Sequence, residues 1–209
     1  MDIVHVLLAN PHPLIRNSLR SLLEREKDFR IVGEAANGRE AVVLAEYRHP
    51  DIVLLDIQLP DLDGLSASRE ISSRDRKQRI MFVTAKADQE YVSEAFDAGA
   101  RGYVLADSAT TELVRAVRVV GQGGSFVSPL ITSKILEEYT RTHWPEGEQA
   151  SEHDKQLCCL LAEGYDDNEI ARHLNSNPDR IMSECRNMKR VLSDIGMPLL
   201  MKHSAPAPS

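Results

Sequence analysis

Ile52-Val53-Leu54-Leu55-Asp56 runs directly into Ile57-Gln58-Leu59-Pro60-Asp61-Leu62-Asp63-Gly64. Four aliphatic residues closed by an acid, then by a turn with Pro and Gly, fit a short strand buried on both faces with Asp56 at its carboxyl end. The pattern repeats outward on both sides. Residues 3–9 and 30–34 before it, and 80–84 and 102–105 after it, are short runs rich in Val, Ile and Leu. Between them lie helical spacings: Ile15, Leu19 and Leu22, then residues 38–48, 65–73 and 89–98, then Leu113, Val117 and Val120. Strand and helix alternate five times, which predicts a doubly wound α/β domain built on a five-stranded parallel sheet. In such a sheet the loops at the carboxyl ends of the strands converge on one crevice. That rule nominates Asn10 and Pro11 after the first strand, Asp56 at the third, Thr84 at the fourth and Ala106 after the fifth.

The 209 residues are 42% hydrophobic and 27% charged, the composition of a chain that buries a core. No apolar run approaches the roughly 18 residues that span a bilayer, and Met1-Asp2-Ile3-Val4-His5 lacks the basic start of a signal peptide. The expectation is a cytoplasmic protein with no membrane partner. Cys158, Cys159 and Cys185 form neither a C-x-x-C pair nor a disulfide framework, and read as small core residues in a reducing compartment.

Gly121-Gln122-Gly123-Gly124 ends the first domain, placed at residues 1–121. Residues 122–147 read as a linker with one helix from Pro129 to about Tyr139 and Trp144 as a packing anchor. Residues 148–203 then carry three helices. Leu157, Leu160 and Leu161 mark the first, which stops at Gly164; Ile170, Ala171 and Leu174 mark the second. After the turn Asn175-Ser176-Asn177-Pro178 the third carries Ile181, Cys185, Met188 and Leu192 at i, i+4, i+7, i+11. Helices so joined predict an all-α helix-turn-helix unit. The proline-containing tail, 204–209, reads as disordered.

These motifs together resemble a LuxR/NarL-type (FixJ-type) bacterial two-component response regulator with an atypical receiver. Residues 53–64 are similar to the phosphorylation-site signature, Phe82-Val83-Thr84-Ala85 and Gly99-Ala100-Arg101-Gly102-Tyr103-Val104-Leu105 to the fourth and fifth strands. Leu161-Ala162-Glu163-Gly164 and Asn168-Glu169-Ile170-Ala171 are similar to the helix-turn-helix signature. The resemblance implies a flavodoxin-like sheet, Asp56 as phosphoacceptor, Thr84 as the hydroxyl that binds the phosphoryl group, and Tyr103 as the aromatic switch. It also implies Mg²⁺ held by Asp56 with an acidic pair after the first strand, and a lysine after the fifth. Here the segment that normally reads Ala-Asp-Asp-His-Pro is Ala9-Asn10-Pro11-His12-Pro13, and the lysine position holds Ala106.

Mg²⁺ needs hard oxygen ligands, so this exchange of two carboxylates for an amide and a ring predicts loss of the metal site, and no other metal or cofactor is expected. Groups that stabilise developing charge are worth about 2.7–4 kcal/mol each, so Asp56 is expected to accept phosphate poorly. Asn10-Pro11 also suits a plain helix start, with Asn as cap and Pro first in the helix. Lys86 reads as a rim charge or a solvated lysine, and Tyr103 as switch or simple core. No nucleophilic triad or phosphate loop occurs, so no catalytic residue and no enzyme activity are expected.

On the last helix the outward positions are Arg180, Met182, Ser183, Arg186, Asn187, Lys189 and Arg190. The resemblance makes Met182, Ser183 and Arg186 the base- and phosphate-contacting positions, and puts Glu184 where the family usually has histidine. Residues 151–209 hold 7 basic and 9 acidic side chains, in a chain of net charge −7, so the DNA footprint is expected to be weak. The resulting expectation is a transcriptional regulator that binds DNA as a homodimer, pairing through residues 89–121 or through the first and fifth helices, with a possible sensor histidine kinase as partner. Its rivals are a protein-interaction module that does not bind DNA and a phosphorylation-driven regulator using Asp56.

Overall fold

The computed structural model describes residues 3–108, 110–143 and 150–194. Trp144, the end of the 148–203 unit and the 204–209 tail lie outside the described residues. The order is β1 (Val4–Ala9), α1 (Pro13–Leu23), β2 (Phe29–Ala35), α2 (Gly38–Arg48), β3 (Ile52–Leu55), α3 (Gly64–Arg74), β4 (Arg79–Thr84), α4 (Gln89–Asp97), β5 (Gly102–Leu105), α5 (Thr110–Gly121) and β6 (Phe126–Val127). The strands lie β2-β1-β3-β4-β5-β6, and each pairing from β2 to β5 is parallel. The sheet therefore has six strands, not the five expected. The sixth is two residues long and follows the glycine-rich break, too short to leave any period in the sequence.

The central strands are buried on both faces: Val6, Leu7, Leu8, Val53, Leu54, Leu55, Ile80, Met81 and Phe82 are all at most 2% exposed. Burial on both sides removes alternation, which is why these strands read as continuous apolar runs. Leu113, Val117 and Val120 of α5 are buried as their spacing predicts, but α1 departs from its pattern. Ile15 is exposed, Leu19 and Leu22 are half-buried, and Leu23 is the buried residue of this helix. The helix packs on β1 and β2, where the sheet ends, so spacing marked a face that the fold covers only in part. Asn37 caps α2 by accepting from the Glu40 N–H at 2.8 Å, and Asp63 caps α3 by accepting from the Ser66 N–H at 2.9 Å. On α5, Arg118 donates to Asp28 at 2.7 Å and Glu26 at 2.6 Å while lying over the Phe29 ring. This ties α5 to the loop that enters β2.

The chain divides into two compact units at Gly123/Gly124. The second contains α6 (Pro129–His143), α7 (Glu152–Ala162), α8 (Asp167–His173) and α9 (Pro178–Asp194). The helix assigned to the linker packs against α7, with Lys155 Nζ 3.1 Å from Glu137 and Ser133 Oγ 3.2 Å from the Cys159 sulfur. Ser151 and Asp166 each complete a capping box, at the starts of α7 and α8. Gly164, at φ 76°, turns the chain after α7, a conformation that glycine adopts without a Cβ penalty. Ile181, Cys185, Met188 and Leu192 are 0–7% exposed, so the row along α9 is the core face. Leu157 and Leu161 are buried with Cys158 and Ala162, whereas Leu160 and Leu174 are only half-buried. Burial pushes the Cys185 thiol up to about 12, as expected of a core residue.

Candidate functional site

At the carboxyl end of the sheet, Asp56 follows β3 and its N–H donates to the Ala9 carbonyl at 2.9 Å. The loop beyond folds back tightly: the Gly64 N–H reaches the Ile57 carbonyl at 2.9 Å, and a Cβ on Gly64 would lie 2.1 Å from the Asp56 carbonyl oxygen. Only a residue without a Cβ fits there. The carboxylate of Asp56 accepts from Asn10 Nδ2 at 2.8 Å on one oxygen and from the Gln58 N–H at 3.1 Å on the other.

Asn10 is 4% exposed, and its amide has one consistent orientation. Its Oδ1 accepts from the His12 N–H at 2.9 Å, so a rotated amide would set NH₂ against N–H and oxygen against carboxylate. The helix-cap reading of Asn10 is therefore corrected. His12 stands at the N-cap of α1, without a side-chain cap bond, and Pro13 opens the helix. The Asn10 oxygen is taken by the His12 N–H, ahead of the helix, and its NH₂ donates to the Asp56 carboxylate, 46 residues away in the chain. Pro11 is half-buried and supplies no polar side-chain atom.

Sequence reasoning passed over Arg16. It donates from Nη1 to the Asn10 carbonyl at 2.6 Å and its Nε stands 3.4 Å from the Glu34 carboxylate, an ion pair without a hydrogen bond. Its charge is thereby engaged on the flank of the crevice.

Thr84 and Tyr103 are brought together through Lys86. Thr84 is 1% and Tyr103 0% exposed; the phenol donates to the Lys86 carbonyl at 2.9 Å, and the Lys86 N–H faces Thr84 Oγ1 at 3.4 Å. The Lys86 ammonium lies 5.4 Å from the centre of the Tyr91 ring on α4, a cation–π contact. Burial, then the charge of Asp88, pushes the Tyr103 phenol well above its ordinary range, so it stays a donor at neutral pH. Ala106 is exposed and donates its N–H to the Thr84 carbonyl at 2.9 Å.

The resemblance implies Mg²⁺ here. The carboxylate of Asp56 accepts from an amide N–H and a backbone N–H, and the two residues after β1 where the resemblance puts acids, Asn10 and Pro11, offer one amide oxygen, already engaged by the His12 N–H. Among the described residues no group of three or more His, Cys, Asp or Glu is placed to hold a metal ion. This donor set does not match the oxygen shell Mg²⁺ requires.

On α9, Arg180, Met182, Ser183, Arg186, Asn187 and Arg190 are exposed and Lys189 is half-buried. Arg180 Nε donates to Glu184 at 2.7 Å, and Lys189 Nζ lies 3.2 Å from Asp167 on α8. Glu184 also receives His153 of α7, whose Nε2 is 2.8 Å away. His153 and then Arg180 hold the Glu184 carboxyl below its ordinary range, so it is ionised and accepts only. Periodicity placed these side chains on the outward face correctly. The partners on other helices, His153 and Asp167, left no sequence signal, whereas Arg180 and Glu184 stand at i, i+4 on α9 itself.

Residues 6–118 match the family model described as the response regulator receiver domain. The transcriptional regulatory protein YxjL of Bacillus subtilis is 30% identical over 201 residues, covering 90% of this chain and 92% of that protein. The transcriptional regulatory protein DegU of Brevibacillus brevis is 30% identical over 149 residues, 71% of this chain but only 63% of the length of that relative. The crystal structure of a LuxR-family two-component response regulator from Aurantimonas sp. SI85-9A1 superposes with a TM-score of 0.64 at 36% identity, covering 66% of this chain and 98% of that one.

Proposed function

The chain belongs to the response regulator receiver family, as a LuxR/NarL-type two-component response regulator, and on that premise we propose that it is a DNA-binding transcriptional regulator whose receiver is set without Mg²⁺-dependent phosphorylation of Asp56. One observation carries the reading: the Asn10 amide, oriented by the His12 N–H, donates to one oxygen of the carboxylate that a metal or an incoming phosphoryl group would have to engage. A phosphoryl dianion at Asp56 meets two neutral donors, with Ala106 where the family places a lysine. Fixed cations aimed at the transferring group are what make phosphoryl transfer fast. Tyr103 is already inward and bonded to Lys86, which supports a receiver whose switch is set in advance.

The DNA half of the proposal rests on the α8–α9 pair and its exposed Met182, Ser183, Arg186, Asn187 and Arg190. Incubation with acetyl phosphate and Mg²⁺, followed by intact mass measurement, is expected to show no Asp56-dependent adduct under conditions that label a receiver with both acids. A readily formed adduct would favour the phosphorylation-driven regulator instead. The protein-interaction alternative is favoured by the two α9 cations already engaged by carboxylates, Arg180 and Lys189. Selection from random-sequence duplexes at low salt separates the two, since that alternative predicts no binding at all.

A further inference from the structure

We propose that Glu184 is a built-in charge clamp: its carboxylate, anchored from α7 by His153, holds Arg180 against α9 and withholds that guanidinium from the phosphates of a nucleic-acid duplex. The proposal rests on the DNA-binding reading of α9 for its biological meaning. Arg180 is exposed, at the first turn of α9, where an anion could approach it freely. Its Nε nevertheless donates to Glu184 Oε1 at 2.7 Å, an i, i+4 ion pair. An exposed pair of this kind is weak and opens readily when both side chains are mobile. Here one is not. Glu184 is 26% exposed, and its other oxygen is 2.8 Å from His153 Nε2 on a neighbouring helix. The carboxylate cannot swing away with the arginine, so a phosphate that approaches Arg180 meets a fixed negative charge within hydrogen-bond distance of it.

The second cation of the row is held in a similar way, since Lys189 lies 3.2 Å from Asp167. Among the described residues of α9, this leaves Arg186 and Arg190 as the exposed cations without an ion pair. Neutral pairs release no counterions, so affinity shifts from phosphate contacts, which carry no sequence information, to Met182, Ser183 and Asn187, which lie between Arg180 and Lys189 in the chain. The clamp thus makes Glu184 a positioning residue for specificity: it lowers binding to any duplex rather than reading a base.

The test compares the full chain with E184Q, R180A and the double variant, by salt-dependent binding to a random-sequence duplex and by the salt that elutes each from heparin. E184Q is expected to bind several-fold more tightly at low salt, with the slope of log affinity against log salt steeper by about 0.9, one added phosphate contact. R180A is expected to cost much less in the native background than in E184Q, where it removes the gain, the non-additivity of a coupled pair. H153A, which frees the carboxylate, should give a smaller gain in the same direction and guards against misfolding of E184Q. Equal costs of R180A in both backgrounds, or an unchanged slope for E184Q on duplex and heparin alike, overturns the clamp. If heparin elution responds as expected while no variant binds duplex, the clamp stands and the DNA-binding reading fails.

Discussion

Replacing Asn10 by aspartate restores the residue type that receivers carry at this position and removes the donor that satisfies Asp56. The native contact is a 2.8 Å hydrogen bond to a carboxylate, made by a side chain only 4% exposed. Hydrogen bonds to charged groups contribute about 1.5–3 kcal/mol. Two carboxylates in its place, with centres about 4 Å apart, repel by about 4 kcal/mol at an effective dielectric of 20. Relaxation and sharing of a proton reduce the sum, so Asn10→Asp should lose roughly 2–4 kcal/mol at pH 7 in the absence of divalent metal. The pH dependence has a defined sign. Adjacent carboxylates raise the proton affinity of the folded state, so the deficit is full above that raised value and shrinks as pH falls toward about 4–5. Millimolar Mg²⁺, offered two hard oxygen ligands, should recover part of the loss at pH 7 and leave the native chain unchanged. Guanidinium denaturation of both proteins at pH 7 and pH 5, with and without Mg²⁺, reads all three effects. A variant as stable as the native chain and indifferent to metal and pH would show that the Asn10 amide is not what balances Asp56.

Tyr103→Phe deletes the phenol that donates to the Lys86 carbonyl at 2.9 Å, and should cost about 0.5–1.5 kcal/mol in urea denaturation while speeding amide exchange in the loop between β4 and α4. Arg118 holds the Asp28 carboxyl below its usual range, so this contribution to stability is present above the unfolded carboxyl's range and is lost as pH falls through the lowered folded value. Stability measured across pH 2–7 (roughly the carboxylate range) should therefore show the native chain and Arg118→Ala furthest apart at neutral pH and converging in acid.

The sequence by itself determined which residues stand at the carboxyl ends of the strands. Doubly buried strands must be short continuous apolar runs, and connection rules then place Asn10, Asp56 and Thr84 at one crevice. The exchange of acids for Asn10 and Pro11, and of lysine for Ala106, was equally legible, because identity and position suffice for it. The core row of α9 was legible too, since periodicity is a local property. Only the tertiary structure decided what the side chains do once there. Whether Asn10 caps α1 or serves Asp56, and whether Glu184 is anchored by His153 of α7, depend on hydrogen bonds that are favourable only over a few tenths of an ångström. Their partners lie 46 and 31 residues away in the chain, and no local pattern encodes those distances. The sixth strand and the exposure of Ile15 escaped for a related reason: coverage at the margin of a sheet depends on which other elements come to rest there, not on the period of the segment itself.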